Sequence, residues 1–268
     1  MSKPAAPTIV PAPTHDEMVM REMQRRSRRS FLIGGAAALA GIAGFRWLSR
    51  SPQDDGARVA LRRMLELNER IATGYISPSH LSHLYPADLA GMPRRNGMYG
   101  LHAPLDESGW RLAVSGAEDG ERMLGLDDLR SLPHVEHITE LRCIEGWSQV
   151  VRWGGVRLAD FTARFAFPSS GGAADRLVET LPRYISIVTP DNGYYVGLDI
   201  ESAMHPQTLL CYEMNGRPLL PDHGAPLRLV VPVKYGIKNI KRIGAIRYTN
   251  TRPADFWAKQ GYDWFAGL

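Results

Sequence analysis

Cysteine is nearly missing from this 268-residue chain: only Cys143 and Cys211 occur, too few for a disulfide framework. Several signatures are absent outright. There is no Gly-x-Gly-x-x-Gly turn and no Walker loop, which removes the commonest nucleotide-binding motifs. No Gly-x-Ser-x-Gly elbow is present from which Ser-His-Asp hydrolysis could start, no His-Glu-x-x-His, and no Cys-x-x-Cys-His for attached haem. Internal repeats are lacking too. With 44% apolar and 22% charged residues the chain sits near globular averages, which excludes wholesale disorder and collagen-like structure.

A formal net charge of +4 suggests nucleic acid or an acidic membrane surface. Its distribution argues otherwise. Residues 1–50 hold eight Lys or Arg against three acids, leaving 24 basic and 25 acidic side chains for the remaining 218 residues. The body is neutral and lacks the excess charge of a duplex-binding face, so no nucleic-acid partner is expected.

The basic end has the grammar of an export signal. Residues 2–13, rich in Pro, Ala and Thr without apolar period, are expected to be unstructured. Arg25-Arg26-Ser27-Arg28-Arg29-Ser30-Phe31-Leu32 then leads into an uncharged run, Phe31 to Phe45, weakened by Gly and Ala. This resembles the twin-arginine signal, whose pathway exports folded proteins. No clean Ala-x-Ala follows, and Arg46-Trp47-Leu48-Ser49-Arg50 has the mix of an interfacial anchor. Two outcomes stay open: a cleaved signal, or a retained membrane anchor over residues 31–48 holding a periplasmic domain.

In the body, Asp54 to Tyr75 reads as a helix with Val59, Met64, Leu65, Leu67 and Ile71 roughly on one face and paired charges opposite. Ile76 to Gly109 has no sustained period, and a loop that long is usually functional. Arg111–Ser115, Ile138–Ile144, Tyr184–Thr189, Thr208–Met214, Leu227–Val231 and Ile243–Asn250 read as strands; Leu126–Leu132 and Leu158–Phe165 read as short helices. Short strands mixed with short helices, without a βαβ rhythm, predict an α+β fold. The expected division is a signal or anchor over 1–50, a helix over 51–75 and a catalytic domain over 76–268.

Two clusters carry candidate chemistry. His80-x-x-His83 and His134-x-x-His137 each offer two metal ligands without a third, so exposed loop histidines are the favoured reading. Cys211 lies in an apolar run and is most simply a small buried hydrophobe. Cys143 is different: it ends an apolar strand beside Arg142 and precedes a Gly turn, where a thiolate can be held as a soft ligand for a redox-cycling metal. Further on, Lys234-Tyr235-Gly236-Ile237-Lys238-Asn239-Ile240-Lys241-Arg242, with Arg228 upstream, reads as an anion cradle. The N–H groups of Gly236 and Asn239, with Lys241, are expected to hold the phosphate of a small cofactor.

The stretches Arg142-Cys143-Ile144-Glu145-Gly146-Trp147-Ser148, Ala203-Met204-His205-Pro206-Gln207-Thr208-Leu209, His223-Gly224-Ala225-Pro226-Leu227-Arg228-Leu229-Val230-Val231-Pro232 and Lys234-Tyr235-Gly236-Ile237-Lys238-Asn239-Ile240-Lys241 occur in the order found in one family. The chain resembles the sulfite-oxidase-type molybdopterin oxidoreductases, most closely their periplasmic methionine sulfoxide reductase branch, from about Asn96 to Arg252. The resemblance implies a sulfite-oxidase-like fold of mixed short sheets and helices around a molybdenum cofactor. Cys143 would ligate the metal. Asn96, Tyr99 and Gly100 would contact the pterin. Thr189, His223 and Arg228 would add contacts, and Asn239, Ile240 and Lys241 would hold the phosphate.

The sequence departs from the reductase branch at His223, where that branch has Asn, and at Gly100, where it has an acid. It is also expected to lack that branch's C-terminal extension and the sulfite oxidases' dimerisation domain. After the cysteine, Glu145 and Trp147 stand where sulfite oxidases have a basic turn, a wall that favours a neutral sulfoxide over a dianion. The implied function is two-electron oxygen-atom transfer, reducing an S-oxide or N-oxide that is a small molecule or protein-bound. A separate haem partner would supply electrons, since the chain has no haem motif. Sulfite oxidation, or a non-catalytic anchored cofactor-binding role, are the alternatives.

Overall fold

A computed structural model describes residues 14–54, 56–75, 79–102, 104–170 and 178–268. The segment 2–13, expected to be unstructured, lies outside them. The chain divides into two compact units, residues 1–52 and 53–268.

The first unit is one helix, α1 (His15–Arg50). Thr14 caps its start: the Thr14 side chain accepts from the Glu17 N–H, and Glu17 returns a bond to the Thr14 N–H. The helix is long and apolar enough to cross a membrane, and none of it is buried.

The second unit opens with the two-residue strands β1 (Gln53–Asp54) and β2 (Ala57–Arg58) and the helix α2 (Val59–Tyr75). Apart from a 3₁₀ turn at Ala87–Leu89, the described residues up to Gly109 form no regular element, as the missing period implied. Two five-stranded sheets follow. One has the order β10 (Arg217–Pro218), β9 (Leu209–Met214), β6 (Ser148–Arg157), β5 (Val135–Arg142), with β11 (Arg228–Val230) also on β9; all its pairs are antiparallel. The other runs β4 (Arg122–Leu124), β3 (Leu112–Ser115), β12 (Ala245–Thr249), β7 (Tyr184–Val188), β8 (Tyr195–Asp199), and only its β3–β12 pair is parallel. Short helices α3 (Leu126–Arg130), α4 (Leu158–Phe161) and α5 (Ile200–Ala203) connect them. The class is α+β.

One apolar core joins the sheets. Val156, Leu210, Tyr212 and Leu229 of the first pack with Leu112, Val114, Ile185, Ile187, Val196, Leu198 and Ile246 of the second, and with Phe161 and Phe165. The opposite face of the first sheet is covered as well, by a cluster including Val151, Trp153, Leu209 and Cys211. Because both faces of β9 are buried, Leu209-Leu210-Cys211-Tyr212 is apolar without alternation. Cys211 is fully buried, and burial raises its thiol pKa.

The predicted strands and helices between Arg111 and Asn250 all form, with ends shifted by a few residues. Sequence reading missed β6, the longest strand, whose Gly154-Gly155 carries no local strand signal. A β-bulge between Gly154 and Gly155 shifts its register on β9. A Cβ at Gly155 would stand 2.1 Å from the Leu210 carbonyl oxygen and 2.7 Å from Cys211 Cα, so only glycine allows the strands to pair there. Gly155→Ala is therefore expected to destabilise the protein by about 2 kcal/mol or more, seen as a lowered urea midpoint in chemical denaturation.

Candidate active site

Strands β5 and β6 form a hairpin with Cys143 at its tip. The Cys143 N–H donates to the Trp147 carbonyl at 2.9 Å, and the Gly146 N–H returns to the Cys143 carbonyl at 3.1 Å. The expected strand over 138–144 thus ends one residue before the cysteine, and its thiol is free and half-buried. Arg142 was expected beside the thiol. Side chains alternate along a strand, and Arg142 pairs instead with Glu140 at 2.8 Å. The group that approaches the sulfur is Asn96, whose Nδ2 lies 3.5 Å from Cys143 Sγ.

Cys143 lines a cavity of about 330 Å³. Of the residues named from sequence, Asn96, Tyr99, His223, Arg228, Asn239 and Lys241 share its wall. Lys241 Nζ donates to the Asn96 carbonyl at 2.5 Å and the Asp222 carbonyl at 3.0 Å, tying the irregular 90s loop to the cation-rich loop. Burial, then the nearby Arg228, lower its pKa to about 8. Arg228 is buried on β11, directly across from Cys211, with its guanidinium 4.6 Å from the centroid of the Trp153 ring. It donates to the carbonyls of His223 and Asn239, and burial lowers its pKa to about 10.

Three buried polar atoms at this wall have no hydrogen-bond partner: both ring nitrogens of His223 and Arg228 Nε. Burial, then Lys241 and Arg228, hold the His223 pKa low. Unpaired buried polar groups are costly, so these atoms are built for a polar guest.

Gly100, Thr189 and Ile240 do not line the cavity. Ile240 belongs to the main core. Gly100, at φ +75°, packs on Thr189: a Cβ there would meet Thr189 Cγ2 at 2.3 Å. That contact and the positive φ account for the glycine. The Thr189 hydroxyl oxygen accepts from the Tyr194 N–H at 3.0 Å and so shapes the turn that brings Tyr194 to the cavity.

The cation-rich loop needs a further correction. Lys234 pairs with Asp199 at 3.1 Å, and Lys238 with Asp255 at 2.5 Å, both lysines fully buried and turned away from the cavity. Arg242 is buried too, donating to the Leu101 carbonyl. The Asn239 N–H, expected to meet an anion, is taken by the Gly236 carbonyl at 3.0 Å. Lys241 and Arg228 are the cations that face the cavity from this region.

The aromatic part of the wall was largely missed. Tyr99, Trp147, Tyr194, Trp257 and Tyr262 line the cavity, with Phe256 behind Tyr99 at 4.7 Å between ring centroids. Their positions span more than 160 residues, so no local motif could reveal them. Neither histidine pair joins them. His80 stacks on Tyr75 and His83 packs edge-on to Tyr85, while His134 meets Glu213 just before β5 and His137 lies within β5. Among the described residues no three His, Cys, Asp or Glu group to hold a metal.

Residues 100–257 match the oxidoreductase molybdopterin binding domain. The protein-methionine-sulfoxide reductase catalytic subunit MsrP of Xanthomonas campestris is 44% identical over 57% of this chain, which spans only 49% of that protein. The MsrP of Campylobacter jejuni is 30% identical over 94% of this chain and 84% of its own length. Both are named as catalytic subunits, which implies a partner subunit. Among solved structures, the sulfane dehydrogenase SoxCD of Paracoccus pantotrophus aligns at TM-score 0.47 and 17% identity, over 56% of this chain and 40% of that one. This chain belongs to the sulfite-oxidase-type molybdopterin oxidoreductases, as a molybdopterin-binding enzyme close to the MsrP proteins.

Proposed function

We propose that the protein is a periplasmic, twin-arginine-exported reductase of S-oxides, with methionine sulfoxide in polypeptides as its substrate class and a membrane haem protein as its electron donor. The observation that carries this reading is one cavity uniting the Cys143 thiol, the cations Arg94, Arg228 and Lys241, and the unpartnered nitrogens of His223. These donors fit the molybdenum cofactor: a soft thiolate for the metal, Lys241 and Arg228 for the phosphate, and His223 and Asn96 for polar atoms of the pterin. When bound, the cofactor supplies two-electron oxygen-atom transfer, for which the net reaction is R₂S=O + 2e⁻ + 2H⁺ → R₂S + H₂O.

The chain's own groups prepare the site. The Asn96 amide, beside the sulfur, orients the thiolate. The Tyr194 hydroxyl donates to the Ile237 carbonyl at 2.6 Å, fixing the aromatic wall to the cation-rich loop. Tyr99, Trp147 and Tyr262 give the wall an apolar face suited to a thioether-like side chain. Glu145, bonded to the Trp147 indole at 2.9 Å, places negative charge there and disfavours sulfite, the second reading. Residues 1–50 act as the export signal and, where retained, as an anchor; the catalytic domain occupies 76–268.

Purified holoprotein should contain about one molybdenum per chain, as a single-thiolate site implies. Cys143→Ser is expected to lose at least ~99% of viologen-driven sulfoxide reduction; full activity in that variant overturns the reading. Lys241 gives a second expectation. Above its pKa of about 8 it loses its charge, so sulfate affinity of cofactor-free protein should fall from pH 7 to pH 9. In calorimetry the fall should be roughly tenfold, and Lys241→Met should remove most of that pH dependence.

A further inference from the structure

Helix α2 leaves its larger apolar side chains outward. Successive 100° steps put Leu61, Met64, Leu67, Ile71 and Tyr75 within an arc of about 120°. Of the apolar face expected from sequence, Val59 and Leu65 are half-buried, whereas Met64, Leu67 and Ile71 are exposed together with Leu61 and Tyr75, Ile71 at 65% and Tyr75 at 74%. The side toward the body is mixed, with Val59, Leu65 and Ala72 beside Arg62, Glu66 and Glu69. Arg62 is buried and donates to the Tyr262 carbonyl at 2.9 Å and the Ala258 carbonyl at 2.8 Å. Glu69 pairs with Arg252 at 2.7 Å, and Ala72 packs on the cluster of Ala258, Trp264 and Phe265. Scattered exposed apolar residues are ordinary; five large ones within one arc of a single helix, interrupted only by Asn68, are not.

Two features identify what covers it. Eight residues separate the end of α1 from the start of α2, a reach of at most ~30 Å, and α1 is of membrane-crossing length and apolarity. Arg63 and Arg70, both exposed, run along one edge of the stripe, where an interfacial helix places cations against phosphate headgroups.

We propose that α2 lies in the interface of an anionic lipid bilayer, with Leu61, Met64, Leu67, Ile71 and Tyr75 immersed and Arg63 and Arg70 at headgroup level. The catalytic body would then be held against the membrane by two elements, with α2 as its contact surface. This rests on the reading of α1 as a retained anchor.

The test uses the full chain in vesicles of phosphatidylcholine and phosphatidylglycerol, with a fluorescent amino acid introduced by codon suppression at position 42, 71 or 123. Ile42 lies in α1, Ile71 in the stripe, and Met123 is exposed on β4. Doxyl-labelled lipids are expected to quench the probe at 42 and at 71 at least about twofold and to leave 123 unchanged. Quenching at 42 with 71 as bright as 123 overturns the inference while the anchor reading stands. No quenching at 42 overturns the anchor reading and this inference with it. Leu67→Glu with Tyr75→Glu changes only exposed positions, and is expected to abolish quenching at 71 while leaving that at 42; retained quenching at 71 overturns the inference.

Discussion

The Asp255 carboxylate joins three segments far apart in sequence. One oxygen accepts from Lys238 Nζ at 2.5 Å and the Gly197 N–H at 3.2 Å; the other accepts from the N–H groups of Trp257 and Ala258. That one group fixes the cation-rich loop, strand β8 and the C-terminal turn together. Each brings a wall to the cavity: the loop brings Lys241, the turn before β8 brings Tyr194, and the C-terminal turn brings Trp257. Lys238 also donates to the Gly197 carbonyl, so its ammonium is tied both to the Asp255 carboxylate and to β8. Removing one partner of such a buried pair strands the other charge, which costs far more than the pair contributes over an apolar replacement.

A division of labour among cations follows. Lys234 and Lys238 spend their charge on Asp199 and Asp255, and burial pulls both below the ordinary lysine pKa. Lys241 and Arg228 keep theirs facing the cavity. Arg228 has its ring partner and two carbonyls on the protein side, which hold the guanidinium while one nitrogen stays unpaired. A preorganised donor set of this kind binds an anion without first rearranging. The thiol stands on the tip of the β5–β6 hairpin, Arg228 comes from β11 of the same sheet and Lys241 from the loop before β12, and the three meet at the cavity.

Helix α2, whose Arg62 bonds the carbonyl of the cavity-lining Tyr262, obeys the opposite economy. It attaches through an arginine that satisfies two carbonyls of the C-terminal turn, leaving its apolar stripe outward. The same turn holds the Asp255 hub, so the helix and the cavity are braced against one structural point.

Much was legible in the sequence because it was local. An apolar strand pattern ending at a Gly turn placed Cys143 at a strand end, the lack of a βαβ rhythm gave α+β, and an uncharged run after a basic stretch marked a segment that forms a helix long and apolar enough to cross a membrane. Motif order pointed to the molybdopterin family, and Asn96, Tyr99, His223, Arg228, Asn239 and Lys241 do converge with Cys143. What stayed hidden depended on distant partners. Periodicity defines a helix face but not which face turns inward; for α2 that was decided by carbonyls some 200 residues away. Composition counts cations, but only tertiary pairing with Asp199 and Asp255 separates those that hold the loop from those that face the guest. Nothing local marks Gly154-Gly155 as strand; the need for glycine at 155 appears only when β9 comes within 2.1 Å of where a side chain would stand. The residue types and their local order determined the fold class, the thiol's setting and the family; long-range register and burial decided which charges remain free to act.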